Sequence, residues 1–227
     1  MAKNRRGSRR LLWILAVLLA GGLFGLNLNS LHDRLLMERV SGLQPQVEAA
    51  YSQVSNYHTL AINGAMAQAE AQAAALDALR QLRHGDDEYF WVMDQQGKLL
   101  MHPNLPMYEG QLLSDLPQVG GDHLYTLVSS VLAESGGGYF TYRWTRGGGD
   151  QLQDKSGYIR RFEPWGWAIG SGVYIDDVDD LFWREARSLF TVLFVLLAVL
   201  VIFWFGFEKT LFYDESIHGG LEADDDR

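Results

Sequence analysis

EYFWVMDQQGKLLMHP, residues 88–103, is the stretch on which the fold turns. Tyr89, Trp91 and Met93 alternate with Phe90 and Val92, a period of two that sends one set to each face of a β-strand. Gln95-Gln96-Gly97 then supplies a turn, and Lys98 to Pro103 returns as the second arm of a hairpin. Such a hairpin either fills a core or walls a binding site, and residue types alone leave both readings open.

Downstream, GYFTYRW (138–144), GYIRRFE (157–163) and WAIGSGVYI (167–175) repeat the pattern of short aromatic and β-branched runs between turn residues, which predicts an antiparallel sheet. Phe140, Tyr142 and Trp144 share one face of their strand. Gly147-Gly148-Gly149-Asp150 is a second hairpin connection, and Leu112 to Glu134 holds one or two short helices. Upstream, Leu31 to Arg83 is rich in helix formers. Within it Met66, Ala69, Ala73, Leu76 and Leu79 recur at threes and fours on one helical face. Proline removes a helical donor and clashes with the preceding turn, so Gly42 and Pro45 predict a kink or break into two helices. Helix first and sheet second give an α+β domain.

Two runs stand apart: Leu11 to Leu26, and Leu189 to Phe207, the latter without a single charge. About 20 apolar residues cross a bilayer as a helix, so the second run spans, and the first does so with Asn27 to Ser30 added. A basic head before an apolar run is also the secretory pattern, but no Ala-x-Ala site follows and no cysteine exists for lipoprotein processing, so a retained anchor is expected. Lys3, Arg5, Arg6, Arg9 and Arg10 hold the N-terminus in the cytoplasm. The expected order is a cytoplasmic head (1–10), a span (11–30), an extracytoplasmic domain (31–187), a second span (188–207) and a short acidic cytoplasmic tail (208–227) that includes Asp224, Asp225 and Asp226.

Composition excludes several functions. The net charge of -9 and the absence of any basic stripe argue against nucleic acid. Absent cysteine removes disulfide and thiolate chemistry. GGDH (120–123), GGGY (136–139) and GGGD (147–150) lack the Gly-Lys-Ser/Thr ending of a phosphate loop and the residues that would complete a GGDEF signature, so they are turns. The six histidines are scattered singly, and the acidic group Asp176, Asp177, Asp179 and Asp180 lacks a calcium loop's glycine, so no metal and no cofactor are expected. No G-x-S-x-G elbow is present, and His102 as a general base has no visible partner, so no enzyme is expected. What remains is a set of aromatic faces with a few cationic donors, which suits either an ordinary core or a small anion whose carboxylate is neutralised by Lys155, His102 or an arginine.

The order of motifs adds to this. LRQLRHGDDEYFWVMDQQGKLLMHPNLPMYEGQ (79–111), GGGYFTYRW (136–144) and DKSGYIRRFEPWGWAIGSGVYIDDVD (154–179) resemble, over Val47 to Asp179, the single Cache domain of type 2 found outside the membrane in bacterial chemoreceptors and sensor kinases. The resemblance implies a long N-terminal helix packed on a PAS-like antiparallel sheet that cups a small organic ligand, commonly a short carboxylate. Matched motif by motif, it makes Trp91, His102, Tyr142, Trp144, Lys155 and Tyr158 the candidate ligand-binding residues, with Tyr89 and Arg161 behind them. Trp165 and Trp167 are assigned to structure, and Asp176 and Asp177 to the start of the helix into the membrane.

The resemblance also implies a homodimer, and Gly21-x-x-x-Gly25 would allow close approach of first spans. Chemoreceptors and kinases continue past the second span into a HAMP linker and signalling domain, whereas twenty residues follow here, so a separate membrane signalling partner is expected. A stand-alone sensor, a naturally truncated receptor and a chain cut short all fit that ending. The expected function is a membrane-anchored sensor of a small carboxylate, and the competing one is a protein-interaction or assembly module with a vestigial pocket.

Overall fold

The computed structural model describes residues 2–85, 88–146 and 151–221, with side chains described within 14–203 except that of Ala16. The Gly147–Asp150 connection and Asp224 to Asp226 lie outside the described residues. The chain divides into two compact units, Met1–Asp180 and Leu181–Arg227.

In the first unit, six strands form one antiparallel sheet: β1 (Arg83–His84), β2 (Glu88–Asp94), β3 (Leu99–Met101), β4 (Gly137–Thr145), β5 (Leu152–Phe162) and β6 (Trp167–Tyr174), in the order β1-β2-β6-β5-β4 with β3 beside β2. The hairpin of the quoted stretch forms as expected. Gly97 takes φ +81°, a region open to glycine, while Asp94 Oδ1 accepts the Gln96 and Lys98 amides and so closes the turn. Tyr89, Trp91 and Met93 do share one face, and Phe90 and Val92 the other.

Each face carries its own core. On one, helices α1 (Ala2–Ile62) and α2 (Gln68–Gln81) bury Leu43, Val47, Ala50, Val54 and Leu79 against Phe90, Val92, Phe162 and Ile169. On the other, helix α3 (Gly121–Ser135) lays Leu124, Val128 and Leu132 over Trp91, Tyr142, Trp144 and Ile159, and the loop between β3 and α3 adds Leu105, Leu113 and Leu116. The region 112–134 thus holds two short 3-10 turns, Leu113–Asp115 and Pro117–Val119, before one α-helix.

Two expectations are corrected. No break occurs at Pro45; α1 runs through it, and the interruption falls at Asn63–Gly64. Leu43, Val47, Ala50 and Val54 pack on the sheet on both sides of the proline, and that burial outweighs one lost backbone hydrogen bond. In α2 the buried face is Ala71, Ala75 and Leu79; of the expected set, Ala69 and Ala73 are exposed. An alanine-rich helix carries too little contrast for its sequence to choose a face.

The last helix, α4 (Ile175–Leu221), begins directly after β6, with Asp176 and Asp177 in its first turn as expected. Carboxylates there complement the unpaired amides of a helix N-terminus. Of the two spans expected, one helix among the described residues is long and apolar enough to cross a membrane, at Ile175–Phe203. The earlier run lies within α1, where Ile14, Leu18, Leu23 and Leu26 are exposed.

Candidate functional site

The site is built on the α3 face of the sheet, where β6 runs between β2 and β5 and β4 lies at the edge. Ala168, Gly170 and Gly172 fall on this face of β6 and make a low floor. Over it lie Trp91 from β2, Tyr142 and Trp144 from β4 and Lys155 from β5, while His102, just past β3, stacks on Trp144 with centroids 5.7 Å apart. The floor has to be low: a Cβ on Gly170 would sit 2.4 Å from Trp91 Cζ2, and one on Gly172 3.0 Å from Lys155 Cε and 3.2 Å from the Tyr142 hydroxyl. Gly170→Ala should therefore destabilise the domain by about 1–3 kcal/mol, as overpacking does, and tilt the Trp91 ring. A drop of several degrees in melting midpoint with a shifted tryptophan emission would establish this; an unchanged midpoint would contradict it.

Lys155 is the side chain that least resembles a core residue. It is 1% exposed, and among the described residues no carboxylate lies within ion-pair distance of it. Its Nζ donates to the Tyr89 hydroxyl at 3.0 Å and lies 4.2 Å and 4.3 Å from the ring centroids of Tyr89 and Tyr174. Tyrosine faces hold an ammonium by their quadrupoles but do not replace its hydration. Burial, and then the charge of Arg146, pull its pKa from 10.5 to about 7, with Glu88 and Asp177 pulling the other way.

His102 is held as a neutral donor. The Leu105 amide donates to its Nδ1 at 3.1 Å, which puts the proton on Nε2, and its ring lies 4.9 Å from that of Tyr89. Burial, and then Lys155, lower its pKa to about 3, so it remains uncharged at any ordinary pH. The backbone amide of His102 donates to Glu109 Oε1 at 2.8 Å, and Glu109 accepts both arms of the Arg80 guanidinium at 2.6 and 2.9 Å. This fork fastens the loop to α2. Burial would raise the Glu109 pKa, but the Arg80 guanidinium and the His102 amide overcome it and hold the carboxyl below its usual range.

Trp91 adds an unused donor: its Nε1 is buried and makes no well-formed hydrogen bond. The Tyr142 hydroxyl lies near enough for that indole N–H to lower the phenol's pKa slightly, against the larger effect of burial, which pushes it well above 10. Leu99, Leu113 and Leu124 close the site, and the space left between them and the aromatic rings takes no water-sized sphere. Neutral donors, one ammonium and apolar walls can hold a small anion of low volume.

Six of the eight residues expected from sequence come together here: Tyr89, Trp91, His102, Tyr142, Trp144 and Lys155. Two do not. Tyr158 lies three residues from Lys155, an odd separation on a strand, so it points to the α1 face, where it packs on Tyr139 at 4.8 Å. Arg161 is on the correct face but six residues along the strand; its Nη2 donates to the Leu132 carbonyl at 2.8 Å and it lines a separate open cleft with Asp94, Tyr125 and Trp167. The residue that sequence reading missed is Tyr174, paired in register with Lys155. Even spacing along Ala168, Gly170, Gly172 and Tyr174 was the signal for it. Trp165 and Trp167, assigned to structure from the sequence, pack with rings 4.6 Å apart on the opposite face.

Comparison with known proteins agrees with this architecture. The family model Single Cache domain 2 matches residues 35–188. The methyl-accepting chemotaxis protein McpP of Pseudomonas putida is 34% identical over 200 residues, covering 86% of this chain and 37% of its own length. The sensor histidine kinase MctS of Rhizobium johnstonii is 34% identical over 110 residues, covering 48% of this chain and 23% of its own length. The chain thus spans about a third or less of these two relatives. Among solved structures, a periplasmic sensor domain of a chemotaxis protein is 36% identical with a TM-score of 0.58, over 62% of this chain and 98% of its own. A Cache chemosensory domain solved for its carboxylic acid recognition is 31% identical with a TM-score of 0.57, over 63% of this chain and 97% of its own. By the match of the family model over most of its length, the chain belongs to the single Cache domain 2 family.

Proposed function

We propose that this chain is a membrane-anchored, extracytoplasmic sensor that binds a short carboxylate against Lys155 and passes a conformational signal into α4. The observation that carries the reading is the buried Lys155 ammonium, which lies against the rings of Tyr89 and Tyr174 and donates to the Tyr89 hydroxyl, with no carboxylate within ion-pair distance among the described residues. An ammonium so placed is costly until an anion joins it, and a carboxylate is the anion whose remaining oxygen the Tyr142 hydroxyl, Trp91 N–H and His102 Nε2–H are suited to receive. The tightness of the site favours the smallest carboxylates and requires the rings to part on entry.

The apolar Ile175–Phe203 stretch of α4 supplies one anchor, and the Leu11–Leu26 run with its basic head the other, with both ends of the chain in the cytoplasm. Signalling relatives support the relay, and the recognition of carboxylic acids by one solved Cache domain supports the ligand class. In this reading the sensor works as a homodimer and through a membrane signalling partner.

The test is a thermal-shift screen of the full chain in lipid nanodiscs against carboxylates of two to four carbons, amino acids and amines. A ligand at 100 times its Kd adds about 2.7 kcal/mol, which raises the midpoint by several degrees. Shifts confined to small carboxylates support the reading. A well-folded chain that no carboxylate stabilises would overturn it in favour of a protein-interaction module.

A further inference from the structure

Two cations share one tyrosine. Lys155 Nζ lies 4.3 Å from the ring centroid of Tyr174, and Arg146 Cζ lies 4.2 Å from the same centroid. Tyr174 is nearly fully buried and its hydroxyl donates to the Thr145 carbonyl at 2.9 Å, which fixes the ring between the ends of β4 and β6. It is also the last residue of β6, one peptide bond from α4.

Beyond the ring, Arg146 grips the first turn of that helix. Its Nη2 donates to Asp176 Oδ1 at 3.1 Å and Asp177 Oδ1 at 2.9 Å, and its Nε to Gln153 Oε1 at 2.9 Å. Gln153 completes the bracket by donating from Nε2 to Asp176 Oδ2 at 2.9 Å. Like charges on one ring repel, and although Arg146 is half-exposed and screened on its outer side, Lys155 and the ring between them are buried, so the two cations do not act independently.

We propose that Tyr174 and Arg146 are the positioning residues that carry occupancy of the Lys155 site to the first turn of α4, a carboxylate at Lys155 tightening the grip of Arg146 on Asp176 and Asp177. The inference rests on the reading of Lys155 as the ligand's counter-charge. An anion at Lys155 cancels the repulsion felt across the ring, so Arg146 settles more firmly between its two aspartates and the helix start is ordered. Linkage makes the effect reciprocal: whatever tightens the bracket also tightens ligand binding by the same factor. The bracket is half-exposed, so the coupling lies at the low end of the range for such effects, on the order of fivefold.

The test uses the full chain in nanodiscs and acetate as the probe, with calorimetry for binding and hydrogen exchange for the peptides that begin at Asp176. In the wild type, acetate should bind and slow exchange in the first turns of α4 by about fivefold. Arg146→Gln should still bind acetate, within about tenfold, but lose the slowing; Arg146→Lys should keep part of it; Tyr174→Leu should lose it. Binding with undiminished slowing in Arg146→Gln overturns the relay alone. Failure of the wild type to bind acetate or any other small carboxylate overturns the reading of Lys155 and the relay together.

Discussion

Lys155→Met is expected to abolish carboxylate binding while leaving the domain folded. Methionine has nearly the shape of lysine without the charge, so the aromatic packing around position 155 survives the exchange. Truncating one partner of a buried, hydrogen-bonded charge pair costs about 2–5 kcal/mol, which is roughly 30-fold to several-thousand-fold in affinity. Stability should move the other way: removing a buried ammonium that lacks an ionic partner relieves its desolvation, so the melting midpoint holds or rises. Calorimetry and thermal unfolding on the same preparation check both halves. A variant that still binds within about threefold of wild type would remove Lys155 from the site, and one that fails to fold would make it a structural residue.

Affinity is expected to fall with rising pH from about 7. The groups around Lys155 fix the sign. Tyr89 from β2, Tyr142 from β4 and Tyr174 from β6 are all pushed up by burial and remain neutral phenols. His84 and His102 are pushed down, to about 4 and about 3, and remain neutral imidazoles. Arg146 keeps its charge, and Glu88 and Asp177 are the carboxylates acting on the amine. Among these phenols, imidazoles and cations, Lys155, with its pKa near 7, is the one that titrates between pH 5 and 9. A carboxylate binds the ammonium, so below pH 7 the site is ready, and above it each binding event takes up a proton. Affinity should drop about tenfold per pH unit above 7 until the pKa of the bound state is reached. Stability of the free domain should rise across the same range, because the unfolded lysine, with a pKa of about 10.4, binds more protons than the folded one. A flat affinity profile from pH 6 to 9 would contradict the assignment.

Much of this was legible in the sequence because alternation is a local signal. Tyr89, Trp91 and Met93 sort to one face of their strand, and Phe140, Tyr142 and Trp144 to one face of theirs, by counting alone; that the two faces coincide is set by the order and pairing of the strands. The same count, applied to β5, separates Tyr158 from Lys155, yet matching the motif as a block kept them together. Arg161 passes the count and fails on distance along the strand, which needs the register of β5 against β4 and β6. Tyr174 was hidden for a different reason: its even spacing from Ala168, Gly170 and Gly172 marks its face, but only pairing with Lys155 sets it beside the amine.

The helices were less legible. Pro45 carries a strong local signal for a break, but the apolar contacts that continue α1 past it come from the sheet. In α2 alanines fall on every side of the helix, so the buried face was chosen by the surface it met. That His102 is a neutral donor with its proton on Nε2 also depends on a loop amide three residues away.

The most direct measurement is the titration of the Lys155 ε-amine by NMR in the full chain with isotopically labelled lysine. The sequence has only four lysines, and the Lys155 signal is the one missing from Lys155→Met. In the free chain it should titrate near pH 7; with saturating acetate it should remain protonated at least one pH unit higher. An amine that titrates above pH 9 in the free chain, or that titrates identically with and without carboxylate, would contradict the reading of Lys155 as the ligand's counter-charge.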